Sequence, residues 1–155
     1  MVLIDTSTGT KYQVEIQLVS SKDYQKITKA RYFFDWKQEK NFEVYKLQLL
    51  HSDDILGLIS LQRIPQEWRI HIRLLTVSFE NRGKNKKFKN IAGNLIAHAA
   101  KIATFEYAEL ACVSLRPKTE IAQHYITTYN MTATGFTLSI EMPEIMNLIN
   151  RFDHD

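Results

Sequence analysis

With one cysteine in 155 residues, Cys112, the chain cannot close an internal disulfide. Nothing in it points to an oxidising compartment. Set in "ELACVSL", Cys112 reads as a small core residue rather than a nucleophile. Glycine (five) and proline (three) are scarce, and no Pro/Gly/Ser-rich linker, repeat or low-complexity tract divides the chain. One domain over residues 1–155 is therefore expected. Neither "GxxxxGK[ST]" nor "GxGxxG" occurs, which excludes the Walker loop and the dinucleotide fingerprint. The histidines, at 51, 71, 98, 124 and 154, lack ligand spacing and have no cysteine pair beside them, so no metal is expected. No apolar run approaches the roughly 18 residues of a membrane helix. The start, "MVLIDTSTGT", has neither a basic nor an apolar leader segment. These absences lead to the expectation of a cytoplasmic protein, monomer or homodimer, with no membrane partner.

What is present is charge in one place. The formal net charge is +3, and subtracting the five cations Arg82, Lys84, Lys86, Lys87 and Lys89 leaves −2. Positive charge confined to one loop of a mildly acidic chain suits a compact anion better than general polyanion binding.

Periodicity supplies the frame. Residues 12–19 alternate as a strand, with "VLI" at the N-terminus as a partner. Ser20 or Ser21 then caps a helix carrying Tyr24, Ile27, Arg31 and Phe34 on one face. Three antiparallel strands follow in "NFEVYKLQLL", "ILGLISLQRI" and "WRIHIRLLTVSF". In the last, Trp68, Ile70, Ile72 and Leu74 hold one phase, and Leu75, Val77 and Phe79 take the other, as a β-bulge would require. Ile91 to about Phe105 is a largely apolar helix. "LACVSL" is a central strand, and "KTEIAQHYITTYN" a helix with Ile121, Tyr125 and Tyr129 on one face, ended by Asn130. "GFTLSIEM" is a strand and Pro143 opens a closing helix. The order is α+β with a mixed sheet. The basic loop lies between a strand end and a helix start, where unpaired amides and the helix dipole favour phosphate.

Several of these features together resemble the GNAT acetyltransferase superfamily, over roughly residues 41–140. In that family a bulged fourth strand is followed by a loop, Gln/Arg-x-x-Gly-x-Gly/Ala, that cradles the coenzyme A pyrophosphate. Here Lys87, Asn90 and Ala92 fall on its three marked positions, and "NRGK" (81–84) is similar to the family's "RGKG". About four extra residues separate that element from the helix, and Asn90 stands where the family has glycine. The run has the look of a small subgroup with a lengthened Lys-rich loop. Downstream, "YITTYNM" is similar to the family's "YEKLGF", with Tyr125 at the tyrosine that protonates the departing thiolate and Lys118 where an asparagine is frequent.

The resemblance implies a GNAT-like acyl-CoA N-acyltransferase fold, its central mixed sheet flanked by helices. It also implies acetyl-CoA as cosubstrate and an amine acceptor, a small molecule or a protein. Backbone near Leu75 and Val77 would polarise the carbonyl. Arg82, Lys84, Lys87, Lys89 and the segment Asn90, Ile91, Ala92, Gly93 would hold the phosphates, with Lys118 nearby. Tyr125 would be the acid, and Glu80 is a candidate base.

Plainer readings stand beside these. Tyr125 is also a good core tyrosine, Asn90 a plain side-chain N-cap, and Glu80 a partner for Arg82 or Lys84. The lysines also suit a solvated loop, or nucleic acid such as tRNA. Tyr32, Phe33, Phe34 and Trp36 either pack the first helix or line an acceptor pocket. His71 and Arg73 remain weaker candidates. A GNAT-fold protein that binds CoA with little turnover is the alternative to an enzyme.

Overall fold

In the computed structural model, which describes residues 1–117 and 119–153, the alternating segments form one nine-stranded sheet. The strands are β1 (Val2–Asp5), β2 (Lys11–Leu18), β3 (Glu43–Leu49), β4 (Gly57–Ile64), β5 (Arg69–Val77), β6 (Phe88–Lys89), β7 (Cys112–Leu115), β8 (Thr132–Thr134) and β9 (Thr137–Glu141). The helices are α1 (Lys29–Tyr32), α2 (Ile91–Tyr107), α3 (Thr119–Tyr129) and α4 (Glu144–Phe152). Strand order is β6-β1-β2-β3-β4-β5-β7-β9-β8. Among the described residues only β5 and β7 pair in parallel, joined by the long α2 crossover.

The expected bulge is present but displaced. Ser60 opposes Leu74 and Leu61 opposes Ile72, so Arg73 is the extra residue, ahead of the Leu74–Leu75 step where the pattern changes. Up to Ile72 the even-numbered residues of β5 enter the main core; beyond Arg73, Leu75 and Val77 do, while Leu74 turns to a second core. The sequence pattern marks where the new phase becomes apparent, which lies past the inserted residue.

Each sheet face carries its own core. Ile59 and Leu61 join α2 and α4 residues such as Leu95, Ile96 and Leu148 on one face. Leu58, their neighbour on the opposite face of the pleat, meets Ile27, Tyr32, Trp36 and Ile55. Helix α2 approaches the sheet closely, since a Cβ on Gly57 would lie 2.6 Å from Cγ2 of Ile91.

The helix expected after Ser20 is a correction. The segment is one 3-10 turn at Asp23–Gln25, the single turn α1, and a further 3-10 turn at Trp36–Glu39. Helix α1 begins at Thr28, whose side chain accepts from the Arg31 amide, and stops at Phe33 in the left-handed region (φ 73°). Burial explains the break. Ile27 and Tyr32, five residues apart, would lie about 140° apart around a straight helix, yet both enter the second core with Trp36. Tyr32 Oη donates to the Ile55 carbonyl (2.7 Å) and Trp36 Nε1 to the Tyr32 carbonyl (3.1 Å).

Two short strands were not expected. β8 pairs with β9, and β6, inside the basic loop, pairs with β1. No helix among the described residues is long and apolar enough to cross a membrane.

Candidate active site

The parallel pairing of β5 with β7 ends at Ile72 and Leu115. Beyond it β5 continues through the bulge to Val77, and among the described residues no strand lies beside that edge. A cleft of about 480 Å³ opens there, walled by Leu74, Leu75 and Arg73 of β5, Leu115 and Pro117 after β7, Ile121 and Tyr125 of α3, and Phe34. Arg82 lies on its rim and is shared with a second groove, of about 370 Å³. That groove runs along the basic loop and the start of α2, from Val77 and Gly83 to Lys89, Asn90, Ile91, Ala92 and Gly93.

The basic loop has a defined course. Asn81 is buried, donates to Ser78 Oγ (2.9 Å) and accepts the Phe88 amide (2.9 Å). Thr6 donates its amide to the Lys87 carbonyl (3.0 Å) and its hydroxyl to the Lys86 carbonyl (2.7 Å). With the Phe88 side chain in the main core, the backbone is held on both sides while Lys84, Lys86, Lys87 and Lys89 remain exposed. The last two residues of the loop, Phe88 and Lys89, thus form the edge strand β6.

Asn90 departs from the expected side-chain cap. It occupies the left-handed region (φ 79°), and its side chain makes no capping bond to α2. Left-handed backbone is what a glycine would supply here, and asparagine is among the few other residues that tolerate it. The first turn of α2, uncapped by this side chain, forms the groove wall and carries the partial positive charge of the helix start. Gly93 allows α4 to approach: a Cβ there would lie 2.3 Å from Cζ of Phe152.

Tyr125 is half-buried, packs against the main core, and stands 5.9 Å centre to centre from the Tyr129 ring. Burial pushes its hydroxyl above the ordinary tyrosine value, partly offset by the Arg82 charge. It is therefore both a packed residue and one that lines the cleft, protonated at neutral pH.

Of the expected residues, Leu75 and Tyr125 line the cleft, Arg82 lines both cavities, and Val77, Lys89, Asn90, Ile91, Ala92 and Gly93 line the groove. Lys84 and Lys87 lie on the same loop outside that lining. Lys118 falls outside the described residues.

Glu80 is placed elsewhere. Its partner is Arg31, rather than Arg82 or Lys84: Arg31 Nη2 meets Glu80 Oε1 at 2.5 Å, and Nη1 meets Asp54 Oδ1 at 2.7 Å. Burial is the largest single influence and raises the Glu80 carboxyl, but the Arg31 hydrogen bonds, the Glu80 amide, the Arg31 charge and Ser78 together hold the group below the usual glutamate value. Among the described residues that line the cleft none is a carboxylate.

The aromatic segment divides between the two roles considered for it. Tyr32 and Trp36 are core, whereas Phe34 lines the cleft and also, with Phe33, a neighbouring cavity of about 510 Å³. Arg73 is common to both cavities and donates through Nε to Glu39 Oε1 (2.8 Å). His71, by contrast, bonds Ser114 Oγ (2.8 Å) on the side of the sheet away from the main core. Arg151 and His124 also line the groove; no motif announces them, because α3 and α4 bring them there only on packing. Cys112 is half-buried, and burial raises its thiol, consistent with an unreactive role.

No family model matches the chain, and no curated protein does. Solved structures do. A GNAT family acetyltransferase from Elizabethkingia anophelis with acetyl-CoA bound aligns at TM-score 0.62 and 12% identity, over 84% of this chain and 99% of that one. The ribosomal-protein-S18-alanine N-acetyltransferase from Escherichia coli aligns at 0.61 and 9%, over 84% and 94%. A Bacillus subtilis acetyltransferase in complex with CoA aligns at 0.57 and 11%, over 85% and 99%. At these identities the likeness is one of fold, and the fold is the GNAT-like acyltransferase architecture: a mixed sheet, flanked by helices, that parts beside a bulged strand.

Proposed function

We propose that the chain is an acetyl-CoA-dependent N-acetyltransferase that delivers its acetyl group to a primary amine by direct attack. The observation that carries this reading is the continuity of the phosphate-suited groove, through Arg82, with a cleft that has Tyr125 in its wall. The α2 start, Arg82 and Lys89 hold the pyrophosphate, and the remaining loop lysines face the 3′-phosphate as point charges. Acetyl-CoA supplies an activated thioester. The unpaired edge of β5 beyond Arg73 offers backbone groups to the pantetheine arm and the carbonyl. The amine nitrogen bonds to the carbonyl carbon, the C–S bond breaks, Tyr125 gives its proton to the sulfur, and the amine releases one proton to solvent, from which Tyr125 regains its own. Glu80, held ionised by Arg31, serves to join the aromatic segment to the start of the basic loop rather than as the base.

Thermal denaturation with acetyl-CoA tests the binding half. A ligand at a hundredfold excess over its dissociation constant stabilises by about 2.7 kcal/mol, and no shift at millimolar acetyl-CoA or CoA refutes the proposal. Stabilisation without acetylation of any amine in a broad panel instead identifies a CoA-binding protein. Nucleic-acid binding by the exposed lysines would show as affinity falling by about 0.9 log units per phosphate contact for each tenfold rise in salt.

A further inference from the structure

We infer that the amine acceptor carries a carboxylate and that Arg116 receives it; this rests on the acetyltransferase reading above. Three arginines line the cleft, Arg73, Arg82 and Arg116, and among the described residues no lining side chain is acidic. Two of the three are committed. Arg73 is paired with the buried Glu39, and its guanidinium lies 3.7 Å from the centre of the Phe42 ring. Arg82 stacks on Phe33 and sits on the wall shared with the groove, within the field of the phosphates.

Arg116 is different. Its contact is the Phe136 ring, 5.4 Å from the guanidinium carbon, and among the described residues no carboxylate pairs with it. A ring beneath a guanidinium leaves the in-plane N–H fork available, and that fork matches a carboxylate with two parallel hydrogen bonds. Its place in the chain suits the role. Arg116 follows Leu115, the last residue of β7, at the point where the sheet parts, and Phe136 is 84% exposed in the β8–β9 turn.

The rest of the wall selects for the acceptor's body. Phe34, Leu74, Leu115, Pro117 and Ile121 are apolar. Beside them, unneutralised positive charge repels acceptors that carry further cations. An apolar or aromatic amino acid with a free carboxylate satisfies both constraints. On transfer its nitrogen gains the acetyl group and loses one proton, coenzyme A leaves as the thiol, and the carboxylate is unchanged.

The test compares leucine, phenylalanine and methionine with their carboxamides, on the whole chain. The amide's amine is less basic and more often deprotonated, so chemistry alone favours it, and preference for the free acid reports recognition. The expected result is at least tenfold higher kcat/KM for the free acid, together with a further rise in Tm of the CoA-loaded protein that the amide does not produce. Arg116→Ala should abolish both differences, chiefly through KM, while the CoA-induced Tm shift stays as in the parent. Equal use of acid and amide, an equal additional Tm shift from both, or an unchanged preference in Arg116→Ala overturns the carboxylate proposal and leaves the acetyltransferase reading standing. Loss of any CoA shift in the parent protein overturns that reading, and this one with it.

Discussion

The guanidinium carbon of Arg82 lies 3.5 Å from the centre of the Phe33 ring, which is itself stacked with Phe79 at 6.3 Å. This contact joins the basic loop to the segment that borders the cleft, and such stacks contribute about 0.5–2 kcal/mol. Arg82→Ala should weaken CoA binding about tenfold, measured by calorimetry. It should also move the alkaline limb of kcat upward, because the Arg82 charge opposes the burial that raises Tyr125.

Tyr125→Phe is expected to lower kcat by about a hundredfold while leaving the CoA dissociation constant within a factor of about two, since proton donation acts on the leaving group and not on the bound phosphates. Burial raises the hydroxyl, so in the parent protein the alkaline loss of kcat should fall above the ordinary tyrosine value of about 10. A Phe variant with full turnover would assign Tyr125 to packing alone.

Gly93→Ala should cost about 1–3 kcal/mol in urea denaturation, because its Cβ meets the Phe152 ring at 2.3 Å and the ring is held in the main core. Phe152→Leu alone costs something by loss of packing. Combined with Gly93→Ala it should restore part of the deficit, as coupled neighbours do.

Asn90 tests the loop's departure from glycine. Asn90→Gly removes no capping bond and relieves left-handed strain, so stability should hold or rise by up to about 1 kcal/mol, with CoA affinity retained. Asn90→Val should lose about 1–2 kcal/mol, because a branched side chain is disfavoured at φ 79°.

His98 governs a stability effect away from the site. Its ring packs edge-on to Tyr45 at 4.5 Å and its Nε2 has no hydrogen-bond partner. Burial first, then the Lys101 charge, bring its pKa down to about 4, with Glu43 opposing. The unfolded chain, at about 6.5, therefore binds more protons in between, and stability falls as pH drops from about 6.5 to about 4, by at most about 3 kcal/mol. His98→Leu should flatten that part of the pH profile in urea titrations.

Much of the frame was legible because its periods are local. The β5 phase change, the apolar α2, the central β7 and the Tyr-bearing α3 all follow from side-chain spacing, as does a phosphate-suited loop at a strand-to-helix junction. The first helix was not legible as drawn. Tyr24, Ile27, Arg31 and Phe34 do have helical spacing, but Ile27 and Tyr32, about 140° apart on a straight helix, share one core only because the chain breaks between them. β6 could not be read either, since its two residues are a strand only because β1 is alongside. Arg151 and His124 enter the groove through helix packing that leaves no mark at their own positions.

By itself the sequence determined the α+β order, the clustering of five cations within residues 82–89, and the strand-to-helix junction that carries them. These rest on chain-local facts: repeat period, charge density and motif spacing. Tertiary structure decided that Arg73 is the bulged residue, that Glu80 is taken by Arg31, that Asn90 occupies left-handed backbone without capping, and that Arg116 lines the cleft with no acidic partner among the described residues. Each of these depends on which groups from distant parts of the chain come within a few ångströms, and hydrogen bonding, ion pairing and burial act only over that range.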